Sequence, residues 1–234
     1  MDLWAFLEKQ GGIYERSFRQ VAAKVAEDGL LADPNVVRSR GGFFIVLRHP
    51  LEVASAAEWL SREVEAVVPS IVYNAVDVHT TISDHLVRAG VRVSAEGDEQ
   101  HRVILEALAW GVRDAMGVIR ELPKPCRIDF GSWLFNQTCV IAQGVPNESF
   151  VRIAQLVVEA CNRRGFKLRL PWGAHMTVSR FASALPAWEL VDFLELMKTA
   201  QPLGMSQPVS IDVGSFHFEG SEFKLTVHES FPLQ

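Results

Sequence analysis

Cysteine is scarce in this chain: 234 residues carry three, Cys126, Cys139 and Cys161. An odd number with no CxxC or Cys/His spacing excludes a disulfide framework and leaves small core residues of a reducing compartment, so a cytoplasmic protein is expected. Long apolar runs are also missing. The run Phe43 to Leu47 is far short of the ~20 residues that cross a bilayer, and MDLWAFLEKQ has an acidic second residue and no basic start, so neither a signal peptide nor a membrane span is expected. Positive charge is in deficit: 23 Lys and Arg stand against 28 Asp and Glu, a net charge of −5 with a pI near 5.8. Such a balance excludes coating of long nucleic acid and extended DNA binding, but leaves room for a small anion or a nucleic-acid end held by a few local cations. No carboxylate and histidine cluster at ligand spacing is present either, so neither metal nor cofactor is expected.

What is present is a paired motif. His79-x-Thr81 returns once, as His175-x-Thr177, 175 − 79 = 96 residues later. Val76, Val78 and Ile82 flank the first copy and Met176, Val178 and Phe181 the second, which reads as two strands. Residues i and i+2 of a strand share a face, so each copy projects an imidazole and a hydroxyl together. A lone His-x-Thr is usually a hydrogen-bonded core pair. Two copies in matching strand context arise by chance in only about one or two chains in a hundred.

In chain order, residues 1 to 40 read as helical, with a stop at Gly29, a turn near Pro34, and Trp4, Phe18 and Val25 in need of an apolar partner. A buried strand, 43 to 47, precedes a helix over 51 to 67 and the first motif strand. After a loop with Gly90 and Gly97 comes the longest helix pattern, 98 to 120, ended by Pro123 and Pro125. Strands at 126 to 131 and 134 to 143 join across Gly131 and Ser132. A helix over 148 to 164 leads to the second motif strand. A helix from Pro186 to Lys198 and a hairpin turning at Gly220-Ser221 complete the chain.

The 96-residue offset also brings Pro50 onto Pro146, Glu52 onto Glu148 and Leu60 onto Leu156. In both halves the order is apolar strand, Pro-x-Glu at a helix start, helix, loop, His-x-Thr strand. The Pro suits the first helical turn, and the Glu meets the positive end of the helix dipole. The expected fold is therefore α+β: an N-terminal helical extension (1–40) on a bilobal domain (41–234). Its two pseudo-symmetric lobes are each a small, mainly antiparallel sheet with helices outside, and a central cleft lies between them.

Two imidazoles facing one cleft suit the opening of a phosphodiester ring. One neutral ring takes a proton from water and one charged ring protonates the departing ribose oxygen. Thr81 and Thr177 can donate to the non-bridging phosphate oxygens as charge gathers there. His49, His85, His101, His217 and His228 are read as surface or structural. Trp172, in PWGAH just before the second motif, is either a core residue or a stacking surface for a base at the cleft rim. A basic rim of Arg163, Arg164, Lys167 and Arg169 can hold an RNA end.

HTTI at 79–82 and HMTV at 175–178 resemble the two HxTx motifs of the 2H phosphoesterase superfamily, and FFIVLRHP followed by a helix is similar to the opening of its bacterial RNA 2',3'-cyclic phosphodiesterases, also called 2'-5' RNA ligases. The resemblance covers about residues 42 to 230 and leaves 1 to 40 unexplained. It implies a metal-independent phosphodiesterase acting on 2',3'-cyclic phosphates or 2'-5' linkages of RNA ends or small nucleotides, with ligation as the possible reverse direction. Cyclic oligonucleotides, 2'-5' oligoadenylate and ADP-ribose cyclic phosphate are alternative substrates, and a non-catalytic nucleotide or RNA-end binding module is the alternative class. The family's second motif often extends to HxTxxR, which places Arg180 on the phosphate. Strand parity instead turns Arg180 away unless the strand ends or bulges there, leaving it a surface residue. The first motif has only Ser83 and Asp84 in that region.

Overall fold

Prolines and short polar caps set where the helices begin. Asp2 accepts a hydrogen bond from Ala5 N at 2.8 Å and opens α1 (Leu3–Tyr14), which runs through a π-helical turn, Glu15–Arg19, into α2 (Gln20–Asp28). The chain reverses at Gly29, where φ is +85° and a Cβ would lie 2.1 Å from Leu185 O, so only glycine fits. Asp33 caps α3 (Pro34–Val37), accepting from Asn35 N at 2.7 Å. The structure, a computed structural model, describes residues 1–84, 86–87 and 99–233. His85 and the loop glycines Gly90 and Gly97 lie outside the described residues.

The remaining elements are β1 (Gly42–Arg48), α4 (Leu51–Val67), β2 (Ser70–Tyr73), β3 (His79–Thr81), β4 (Leu86–Val87), α5 (Glu99–Ile119), β5 (Ile128–Phe135), β6 (Cys139–Pro146), α6 (Glu148–Arg163), β7 (His175–Phe181), a 3₁₀ turn at Ala187–Glu189, α7 (Val191–Thr199), β8 (Gly204–Ser206), β9 (Ser210–Glu219) and β10 (Glu222–Pro232). Asn147, next to Pro146, caps α6 by accepting from Phe150 N.

The fold is mixed α+β, and the sheets of the two halves are fused. Among the described residues the strands form one sheet in the order β2-β10-β9-β1-β3-β7-β6-β5-β8, and β2 also pairs with β7. The extra pairing closes six strands into a barrel, from which β6, β5 and β8 continue. Every pairing is antiparallel except β10 with β2. The two motif strands meet at Thr80 and Met176, which are 96 residues apart, but their neighbours are displaced by one: Leu47 faces Thr80 across β1 and β3, whereas Ala142, 95 residues after Leu47, faces Met176 across β6 and β7.

Three local expectations are corrected. Gly131 and Ser132 do not turn the chain; they form a bulge inside β5, and the turn falls at 136–138. There Asn136 Oδ1 accepts from Thr138 N at 2.8 Å and Cys139 N at 3.1 Å, an Asx turn that outcompetes the glycine. The helix of 186 to 198 breaks at Leu190 into the 3₁₀ turn and α7. Trp4 finds no apolar partner: it is 81% exposed, whereas Phe6, Tyr14, Phe18 and Val25 carry the inward face. Phe6 meets Phe150 of α6 edge-on at 5.6 Å. Residues 1–40 thereby give Phe6, Val25 and Leu30 to the main core, and Tyr14 and Phe18 to a smaller cluster with Leu134 and Ile141.

Candidate active site

A cavity of about 520 Å³ opens beside the meeting point of β3 and β7, and its lining includes His79, Thr81, His175, Thr177, Arg180 and Trp172. Both histidines and both threonines of the paired motif, with Arg180 and Trp172, are thus brought to one place. Side chains two apart on each motif strand share the cavity face, while Thr80 and Met176 between them are fully buried behind it.

The segment ahead of each histidine is clamped in the same way. His79 Nδ1 lies 2.8 Å from Asp77 O, and His175 Nδ1 lies 3.2 Å from Gly173 O, in each case the carbonyl two residues back. A carbonyl only accepts, so Nδ1 carries the proton in both rings and Nε2 is the nitrogen that can exchange a proton with a ligand. For His79, the Asp77 carboxylate accepts from Leu225 N at 2.8 Å, and Arg48 donates to Val76 O. For His175 the clamp comes from α1. Gln10 accepts from Ala174 N at 3.0 Å and donates to Gly144 O at 3.1 Å, and Tyr14 donates to Ala174 O at 3.1 Å. Gly144 is required here, because a Cβ would sit 2.2 Å from Ala174 O.

Aromatic rings hold both imidazoles flat. His79 is 6% exposed and stacks near Phe223, with centroids 5.6 Å apart. Trp172 stacks on His175 at 4.0 Å with planes 22° apart, and lies against Phe18 and Tyr14 of the extension. Of the two readings of Trp172, core residue or stacking surface for a base, the structure shows one face of the indole given to His175 itself.

Arg180 reaches the cavity by the bulge that parity demanded. Val140 pairs with Ser179 and Ile141 with Thr177, so Val178 is an extra residue on β7 and the side-chain alternation shifts by one. Ser179 is fully buried, and His175, Thr177 and Arg180 become the half-buried residues of the strand. The guanidinium donates to Tyr73 Oη at 3.0 Å and to Asp33 Oδ2 at 2.5 Å. Burial works against its charge, but Tyr73 and Asp33 outweigh that and hold it above its ordinary value. Burial in turn pushes the Tyr73 hydroxyl up to about 12.

Sequence reasoning missed Asp33, Tyr73, Lys9 and Arg40, since segments far apart in the chain bring them to Arg180 or to the cavity and leave no periodic signal. Of the expected basic rim, Arg169 lines the cavity, ion-paired to Asp84 at 2.9 Å, whereas Arg164 pairs with Asp114 on the surface. His49 is structural: it is buried behind β3 between Thr80 Oγ1 (2.9 Å) and Ser206 Oγ (2.8 Å), and burial lowers its pKa to about 3. His101 packs on Phe43, and His228 is exposed. Among the described residues, no three His, Cys, Asp or Glu side chains gather as a metal site would need, and no helix is long and apolar enough to cross a membrane.

No family model and no curated protein matches the sequence. Among solved structures, the chain is similar to TT0787 of Thermus thermophilus (18% identity over 83% of this chain and 97% of that one, TM-score 0.49). It is also similar to Escherichia coli LigT complexed with 3'-AMP (14% identity over 82% and 98%, TM-score 0.49) and to a protein described as a phosphoesterase (15% over 82% and 98%, TM-score 0.45). Each likeness runs over nearly the whole of the other chain and leaves roughly a sixth of this one unmatched.

Proposed function

We propose that the cavity is the active site of a metal-independent phosphodiesterase that opens 2',3'-cyclic phosphates, or cleaves 2'-5' linkages, in RNA ends or small nucleotides. One observation carries the reading: two histidines, one from each motif strand, line the same cavity, and each has Nδ1 tied to the carbonyl two residues back. Groups that only bind a phosphate do not need to be titratable; groups that move protons do.

In the forward step the neutral ring takes a proton from water as the water oxygen bonds to phosphorus. The opposite P–O bond to the ribose breaks, and the charged ring gives its proton to the departing oxygen. The two rings exchange protonation states, and solvent restores them. Thr81 and Thr177, one from each motif strand, donate to the non-bridging oxygens, and Arg180 balances the charge that grows there. The same steps with a ribose hydroxyl in place of water bond that hydroxyl to phosphorus as the ring opens, so ligation needs no further group. Trp172 and Phe223 keep the rings from turning, which preserves the attack geometry.

The experiment is a panel of 2',3'-cyclic mononucleotides, cyclic-phosphate RNA ends and cyclic dinucleotides, assayed in EDTA. Turnover of at least one cyclic phosphodiester that falls with either histidine replaced supports the reading. Turnover of none, or turnover only with added Mg²⁺ or Zn²⁺, overturns it.

A further inference from the structure

Among the described residues, four cations line the cavity, Lys9, Arg40, Arg169 and Arg180, and two of them are already answered by carboxylates. Arg169 pairs with Asp84 at 2.9 Å and Arg180 with Asp33 at 2.5 Å. Among the same residues Lys9 and Arg40 have no carboxylate within ion-pair distance; Arg40 reaches only the neutral Asn35 Oδ1, at 3.5 Å. Both belong to residues 1–40. A chain with a net charge of −5 therefore keeps two unanswered cations at one cavity and supplies them from the extension. Such an inversion of the local field draws an anion in and leaves like charges unbalanced without one.

The scissile group does not account for them. A cyclic phosphodiester carries one negative charge, and Thr81, Thr177 and the charged ring of the histidine pair already meet it. At about 520 Å³ the cavity lies within the range of ligand pockets and has room for more than one phosphate on a nucleoside. Lys9 precedes Gln10, whose amide holds the segment before His175, so the unanswered Lys charge rides on the helix that positions the second motif.

We infer that Lys9 and Arg40 form a second anion subsite, so the preferred substrate carries at least one phosphate besides the one attacked. The inference rests on the phosphodiesterase reading and narrows its substrate class to nucleotides with two or more phosphates. These can come from a 5'-phosphorylated mononucleotide or from the internucleotide phosphate of a short RNA end, and the two sources are separable by assay.

The test compares kcat/KM for adenosine 2',3'-cyclic phosphate, the same compound with a 5'-phosphate, and a dinucleotide ending in a cyclic phosphate. At low ionic strength the second phosphate should raise kcat/KM about tenfold or more, the scale of one charge-assisted contact, and added salt should erode the gain. Which of the two compounds gains tells mononucleotide from RNA end. In the Lys9→Gln/Arg40→Gln double variant the ratio to the parent compound should fall towards one, and Lys9→Glu should lower it further; a ratio within one preparation is insensitive to the folded fraction. No gain from either phosphate, or a gain that the double variant keeps, overturns the inference. Turnover of none of the three fails the phosphodiesterase reading instead. The subsite is then judged by calorimetry: tighter binding of adenosine 3',5'-bisphosphate than of adenosine 3'-monophosphate, lost in the double variant, supports it, and equal affinities overturn it.

Discussion

Asp33 and Arg180 are joined through a 2.5 Å contact between Oδ2 and Nη1, with the carboxylate 3% exposed and the guanidinium 24%. An acid from the N-terminal extension is thus seated against a base on the second motif strand, and the segment that the repeat does not require reaches the centre of the site. Asp33 N also donates to Phe181 O at 2.8 Å, so backbone and side chain both fix the extension to β7. Removing one partner of a buried pair leaves the other uncompensated. Asp33→Ala should destabilise the protein by about 3–5 kcal/mol, seen as a lower urea midpoint. Asp33→Asn keeps the cap on α3 and should cost less.

Replacement of either His79 or His175 by Ala should lower kcat by about 10² to 10⁴, the worth of one general acid or base. The double variant should lose far less than the product of the two, because the rings act as a pair. Steady-state rates of the three variants on one cyclic phosphate decide it. The pH profile of kcat/KM should be bell-shaped, since one ring must be neutral and the other charged.

Thr81→Val and Thr177→Val each remove one donor to the phosphate and keep both rings. Losses of roughly 10-fold to 10³-fold are expected, below those of the histidines. A transition-state mimic should weaken in parallel with the rate, while substrate KM stays nearly constant.

The clamp from α1 should be visible in kcat before it is visible in stability. Tyr14→Phe removes one buried hydrogen bond, costing about 1 kcal/mol, and Gln10→Ala frees Ala174 N as well. Both loosen the segment ahead of His175, so kcat should fall with the fold intact by circular dichroism. Phe6→Ala, by contrast, opens a cavity against Phe150 and should cost about 3–5 kcal/mol of stability.

His49 predicts an acid-sensitive fold. Burial lowers its pKa to about 3 in the folded protein, against about 6.5 unfolded. Between these values the unfolded chain binds the extra proton, so stability falls as pH falls, by up to about 1.4 kcal/mol per pH unit from this group. The contribution is complete above about pH 6.5 and is lost as the pH approaches 3. His49→Gln should be less stable at neutral pH, with a flatter dependence over that window, measured by urea unfolding at stepped pH.

The sequence by itself determined the elements whose signal is local. Helix α4 spans Leu51–Val67, as its apolar spacing and Pro50 require, and α6 begins at Glu148 behind Pro146. The His-x-Thr pairs follow from a period of two within one strand, and the 96-residue repeat ties them to equivalent strand-helix units. Residues 1–40 were legible as helices in need of an apolar partner, but the contacts they bring to the site were not, because what Asp33, Gln10 and Tyr14 touch lies more than a hundred residues away. Tertiary structure alone decided the direction of Arg180: the extra residue Val178 exists only relative to the strand it pairs with, so no property of β7 read alone reveals the bulge. It also decided the closing of the sheet through β2 and β7, since pairing is a choice among distant edges that side-chain alternation leaves degenerate.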